Sequence, residues 1–173
     1  MNKITSFRAD KIFRLDTLSN ISPPFNLEFV KINNVDALYG NGYFYLTYKN
    51  EIIYIGTSTG RDEVFESRIK KQLETITLRS HRVSLSENAS QTFKQIERFR
   101  GVHLNLSDTG CVSSRKKVLF ASENWDDFSR LSNETLANFD VFWFSMPNLS
   151  LADIESIVNL SKQILNPRCN GKI

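Results

Sequence analysis

The sequence predicts a single mixed α/β (α+β) domain, and three stretches carry that expectation. Two β-rich runs at 43–56 spell a hairpin, an amphipathic helix follows them, and an aromatic run near the C-terminus leads into a capped helix. The chain has 173 residues, of which 40% are apolar and 12% aromatic, and this suits one domain with its own core.

The hairpin is the sharpest of these signals. Tyr43-Phe44-Tyr45-Leu46-Thr47-Tyr48 and Glu51-Ile52-Ile53-Tyr54-Ile55-Gly56 flank the polar pair Lys49-Asn50. Aromatic and β-branched runs around a short turn containing asparagine favour an antiparallel hairpin. With Lys49-Asn50 as a two-residue turn, Tyr48 pairs with Glu51, and the register carried back sets Tyr45 directly across from Tyr54. Opposed residues project on one face, so two phenols would meet there. Gly56, at the strand end, would let a backbone or a phosphate come close.

In the stretch 62–76, Phe65, Ile69, Leu73 and Ile76 recur at helical spacing with charges between them. A second helix is expected over 88–99, from Phe93, Ile96 and Phe99, then a strand at 102–106 and a turn at Asp108-Thr109-Gly110. The basic run Arg115-Lys116-Lys117 and a short helix at 125–131 come next. Phe139-Asp140-Val141-Phe142-Trp143-Phe144-Ser145 reads as a buried strand closed by Pro147. Ser150 and Asp153 then open a helix with Ile154, Ile157, Val158, Ser161, Ile164 and Leu165 inward, which Pro167 stops.

This divides the chain into an N-terminal arm (1–41), a core (42–76 and 139–170) and a middle insertion (77–138), which is long for a connection and is expected to form a subdomain. The arm, broken at Ser22-Pro23-Pro24, is expected to be irregular with one strand. No stretch has the apolar length of a signal peptide or membrane span, so a soluble, cytoplasmic protein with no membrane partner is expected. Cys111 and Cys169 lie far apart and read as two reduced thiols.

Lys and Arg total 22 against 19 Asp and Glu, a net charge of +3, so nucleic-acid binding would need local basic patches. The insertion offers Arg79, Arg82, Arg98, Arg115, Lys116 and Lys117 for phosphate contact, and a solvated basic surface would explain them as well.

The order hairpin, helix, aromatic strand, helix resembles the GIY-YIG nuclease superfamily. Tyr54-Ile55-Gly56 matches the second half of its signature, and Gly42-Tyr43-Phe44-Tyr45 stands where the first half would be. The first tyrosine is either Tyr45 or lost to Phe44, and strand pairing favours Tyr45. The resemblance implies a small three-stranded antiparallel sheet flanked by helices. It also implies an arginine on the first helix, matched by Arg68, a glutamate on the last, matched by Glu155, and a Pro-x-x-Asn ending, matched by Pro167 to Asn170. Gln72 stands where many members carry histidine or tyrosine, His81 is a possible substitute, and Asp153 is an alternative acid.

The implied activity is metal-dependent endonucleolytic hydrolysis of DNA phosphodiesters, of a restriction, mobile-element or phage kind. Such hydrolysis needs an activated water and neutralisation of charge on the phosphoryl oxygens. Glu155 would hold Mg²⁺ or Mn²⁺ with waters and substrate phosphate, and Arg68 would clamp the phosphate through its planar fork. Tyr45 or Tyr54 would act as base if a nearby cation lowered its pKa. The contrasting expectation is a binding or interaction module that keeps the fold without turnover.

Overall fold

The computed structural model describes residues 2–20, 26–33, 40–58, 65–78, 83–102 and 111–171. Strands β4 (Gly42–Tyr48) and β5 (Glu51–Ser58) form the expected hairpin, and Lys49 and Asn50 both take positive φ (50° and 66°). Positive φ at both central residues is the geometry whose twist matches that of the flanking strands. Tyr48 pairs with Glu51 and Thr47 with Ile52, but Ile53 is then bulged out of the ladder. One extra residue on one strand shifts all later pairs, so Leu46 faces Tyr54 and Tyr45 faces Ile55. Tyr45 and Tyr54 therefore lie on opposite faces of the sheet, contrary to the sequence-based pairing.

Among the described residues the main sheet has four strands rather than three, in the order β1 (Lys3–Arg8), β8 (Phe139–Ser145), β4, β5, all antiparallel. β8 is the aromatic strand and runs beside β4. The added strand, β1, comes from the N-terminal arm and pairs with β8 over its whole length. The arm also supplies β2 (Phe13–Thr17) and β3 (Leu27–Lys31), a separate antiparallel pair, so its described residues hold three strands where the sequence predicts one.

One face of the sheet packs on α1 (Phe65–Ile76) and on the insertion. There Phe44, Leu46, Tyr48, Val141 and Trp143 join Phe65, Ile69 and Leu73 in a core that also takes in Phe13 and Phe29 of the arm and Phe93, Phe99 and Phe120 of the insertion. The insertion thus shares the main core instead of forming its own subdomain. Its elements are β6 (Val83–Leu85), parallel to β7 (Cys111–Ser113), then α2 (Glu87–Gln95), α3 (Arg115–Glu123), α4 (Trp125–Phe128) and α5 (Asn133–Leu136). The strand expected at 102–106 and its turn lie almost wholly outside the described residues.

The opposite face is covered by α6 (Leu151–Leu165), whose Ile154 and Val158 pack on Tyr43 and Ile55. The Ser150 hydroxyl accepts from the Asp153 amide at 3.2 Å and donates to its carboxylate at 2.6 Å, so Asp153 is committed to the helix cap. Asn166 ends α6 in the left-handed conformation (φ 44°), turning the chain back toward β5. Among the described residues, no helix is long and apolar enough to cross a membrane.

Candidate functional site at the free edge of β5

As the last strand of the sheet, β5 presents outward-facing backbone groups that need partners. The residues after α6 supply most of them. The Cys169 amide donates to the Ile53 carbonyl at 2.7 Å, and the Asn170 side chain accepts from the Ile55 amide and donates to its carbonyl, both at 2.8 Å. Asn170 is buried and mimics a strand neighbour, which makes it a positioning residue. One step further along the edge, Arg68 of α1 donates to the Thr57 carbonyl at 2.6 Å.

Beside these contacts a cleft of about 200 Å³ opens between α1 and α6. Tyr54, Gly56 and Thr57 form its floor, Arg68, Lys71 and Gln72 one wall, and Val158 and Lys162 the other. Tyr54 is half-buried; burial raises the pKa of its phenol, and the charge of Arg68 offsets part of that rise. The ring of Phe44 lies against Tyr54, with centroids 5.9 Å apart. A Cβ on Gly56 would come within 2.6 Å of the Phe44 ring, so the space that glycine leaves is taken by an aromatic ring and not left for a phosphate.

Behind Tyr54 lies a charge supplied by the insertion. Lys117 is only 7% exposed; its ammonium donates to Gln72 Oε1 at 2.7 Å and Thr75 Oγ1 at 2.6 Å and sits 5.2 Å from the Tyr54 ring centre. Such a cation favours the ring face, and desolvation lowers its pKa to about 8. The Lys117 bond occupies the side-chain oxygen of Gln72, so the residue at the expected histidine or tyrosine position anchors a helix.

Of the residues expected from sequence, Tyr54 and Arg68 meet in the cleft and Asn170 braces its edge. Tyr45 does not meet them: it faces α6, where its hydroxyl lies 3.3 Å from that of Ser161, and Phe44 occupies the face beside Tyr54. Glu155 is exposed on α6, one turn before Val158, and the α6 side chains that line the cleft are Val158 and Lys162. The walls therefore bring ammonium and guanidinium groups to a place where a hard divalent cation would need carboxylates. Among the described residues, no group of three or more His, Cys, Asp or Glu could hold a metal ion. The donor set that the described residues bring to this cleft does not fit Mg²⁺ or Mn²⁺.

Lys117 is corrected from a surface phosphate contact to a buried anchor. Arg98 donates to the Ser122 carbonyl at 3.2 Å and lies 3.5 Å from Asp126, while Arg115 is exposed at the start of α3. Arg79, His81 and Arg82 lie outside the described residues. Lys71 and Lys162 went unrecognised in the sequence, although spacing points to both. Lys71 follows Arg68 by three residues on α1, and Lys162 follows Val158 by four on α6, so each pair shares a helix face. No protein-family model, curated protein or solved structure matches the chain.

Proposed function

We propose that the protein is a nucleic-acid-binding module with a GIY-YIG-like core, which holds the DNA backbone in the cleft beside β5 without hydrolysing it. The observation that carries this reading is the convergence of Arg68, Lys71 and Lys162 on one cleft whose lining, among the described residues, includes no carboxylate. A planar guanidinium flanked by two ammonium groups matches a phosphodiester in charge and in hydrogen-bonding capacity. Binding alone is favoured by three features of the site. Phe44 stands beside Tyr54 without a hydroxyl, Gln72 is held by Lys117, and the α6 side chains that line the cleft are Val158 and Lys162 and not Glu155.

The second reading is the metal-dependent endonuclease, with Glu155 as ligand, and it is favoured by the meeting of Tyr54 and Arg68 in one site. Supercoiled plasmid incubated with Mg²⁺ and wild type, Arg68→Ala or Glu155→Ala separates the two. The binding reading expects retarded but intact plasmid with wild type and Glu155→Ala, and loss of retardation with Arg68→Ala. Nicking by wild type that disappears in both variants would establish hydrolysis instead, and absence of any DNA binding would sink both readings.

A further inference from the structure

We infer that the DNA backbone does not end at the cleft but follows a continuous cationic track along the β5 edge to the start of α3, with Lys162 and Lys116 as its phosphate contacts. This rests on the binding reading above and extends it to a route. Three adjoining depressions make up the track, and the residues they share establish the continuity. Lys162 lines both the Arg68 cleft and the next groove, and Lys116, Asn166 and Pro167 line that groove and the one beyond it, which ends at Arg168.

The fold explains why these lysines come together. α6 delivers Lys162 from one side, the left-handed turn at Asn166 brings the chain back over the edge of β5, and the first turn of α3 presents Lys116 from the other side. The neighbour of Lys116 turns inward, because Lys117 is anchored on Gln72 and Thr75. That anchor fixes the first turn of α3 and leaves Lys116 directed into the groove. Among the described residues, neither the cleft nor the middle groove has an aspartate or glutamate in its lining; an acid, Glu123, appears in the last groove and is paired with Arg168. A run of cations without acids, lined elsewhere by side-chain amides, matches a ladder of phosphates read without base specificity.

The track differs from the basic surface the sequence suggested. Of the insertion's arginines and lysines, only Lys116 reaches it among the described residues, and its other cations come from α1, α6 and the segment after α6. Binding therefore uses the β5 edge of the sheet, and the β1 edge at the other end of the strand order serves as an internal control.

The test is fluorescence anisotropy with a labelled DNA duplex across a series of KCl concentrations. It compares wild type, Lys116→Gln/Lys162→Gln, and the control Lys3→Gln/Lys11→Gln, which removes the same charge from exposed lysines in and just after β1. Each lost phosphate contact lowers the salt slope by about 1 and costs about tenfold in affinity near 0.1 M salt. The track variant is therefore expected to bind about a hundredfold more weakly with a slope reduced by about 2, while the control binds like wild type. Equal binding by the track variant and wild type would overturn the route and remove Lys162 from the cleft, leaving the cleft reading to stand or fall with Arg68→Ala; an equal loss in the control would overturn the route. Wild type without salt-dependent binding would overturn both. Unchanged thermal melting of each variant confirms that the comparison is made between folded proteins.

Discussion

The hairpin carries two tyrosines toward the core of α1 and the insertion, and their surroundings differ in kind. Tyr48 is closed in: it is 3% exposed, packed against Phe120, Phe128 and Phe139, and its hydroxyl donates to Asp127 at 2.7 Å, with Lys49 on the same carboxylate at 2.6 Å. Tyr54 is open: its ring faces a cleft lined by Arg68, Lys71 and Lys162, with Lys117 behind it. Burial raises the pKa of both phenols. The neighbouring charge then separates them, since Asp127 raises Tyr48 further whereas Arg68 pulls Tyr54 down. The two residues are alike in sequence, but one completes a packed corner and the other forms the floor of a cleft lined by cationic side chains.

The largest expected effect tests whether the open region depends on its edge brace. Asn170→Ala leaves the amide and carbonyl of Ile55 without their partners, and chemical denaturation is expected to show a loss of about 2–4 kcal/mol. A loss below about 1 kcal/mol would mean that the segment after α6 merely lies against β5. Next, Arg68→Ala removes the guanidinium from the cleft, and DNA affinity measured by anisotropy is expected to fall about ten- to a hundredfold, since hydrogen bonds to charged groups contribute about 1.5–3 kcal/mol. Tyr48→Phe, in the closed region, is expected to lower stability by about 1–2 kcal/mol through loss of the Asp127 bond, with DNA affinity unchanged. An affinity change there would break the distinction between the two tyrosines.

The smallest effect is a pH dependence arising from Lys117. Its folded pKa, about 8, lies below the ordinary lysine value, so above pH 8 the unfolded chain binds more protons than the folded one and stability rises with pH. Cys169, pushed up to about 12, acts in the opposite sense once pH exceeds the ordinary thiol value of about 9. Between pH 8 and 9 wild type is therefore expected to gain stability by up to about 1.4 kcal/mol relative to Lys117→Met, read as the difference between their unfolding curves. Parallel curves over that unit would place the ammonium in contact with water.

The elements themselves were legible in the sequence because periodicity and caps are local. The Lys49-Asn50 turn, the aromatic strand β8, and α6 with its Ser150 cap and Pro167 stop all stand where the residues predict them. The register was not legible. Glu51-Ile52-Ile53-Tyr54-Ile55 has no alternation of polar and apolar side chains, so nothing in it marks Ile53 as the extra residue, and the bulge moved Tyr45 to the far face. The arm reads as largely irregular because β1 has only two apolar side chains, Ile4 and Phe7, without regular alternation, and becomes a strand only beside β8. On α6, Glu155, Val158 and Lys162 fall along one side of the helix, and sequence spacing cannot tell which turn meets the cleft. Lys117 was misjudged for a related reason: a run of three cations reads as surface until a helix turns one of them toward acceptors such as Gln72 and Thr75.

On the binding reading we propose, phosphate seats at the open tyrosine, Tyr54, and not at the closed one, Tyr48. Titrating a short DNA duplex into isotope-labelled protein and following backbone amide shifts tests this residue by residue. The largest perturbations are expected on residues 54–57, with Arg68 and Lys162 next, while amides around Tyr48 and Asp127 stay still. Perturbations centred on Tyr48 and Asp127, or on β1 at the opposite edge of the sheet, would contradict it.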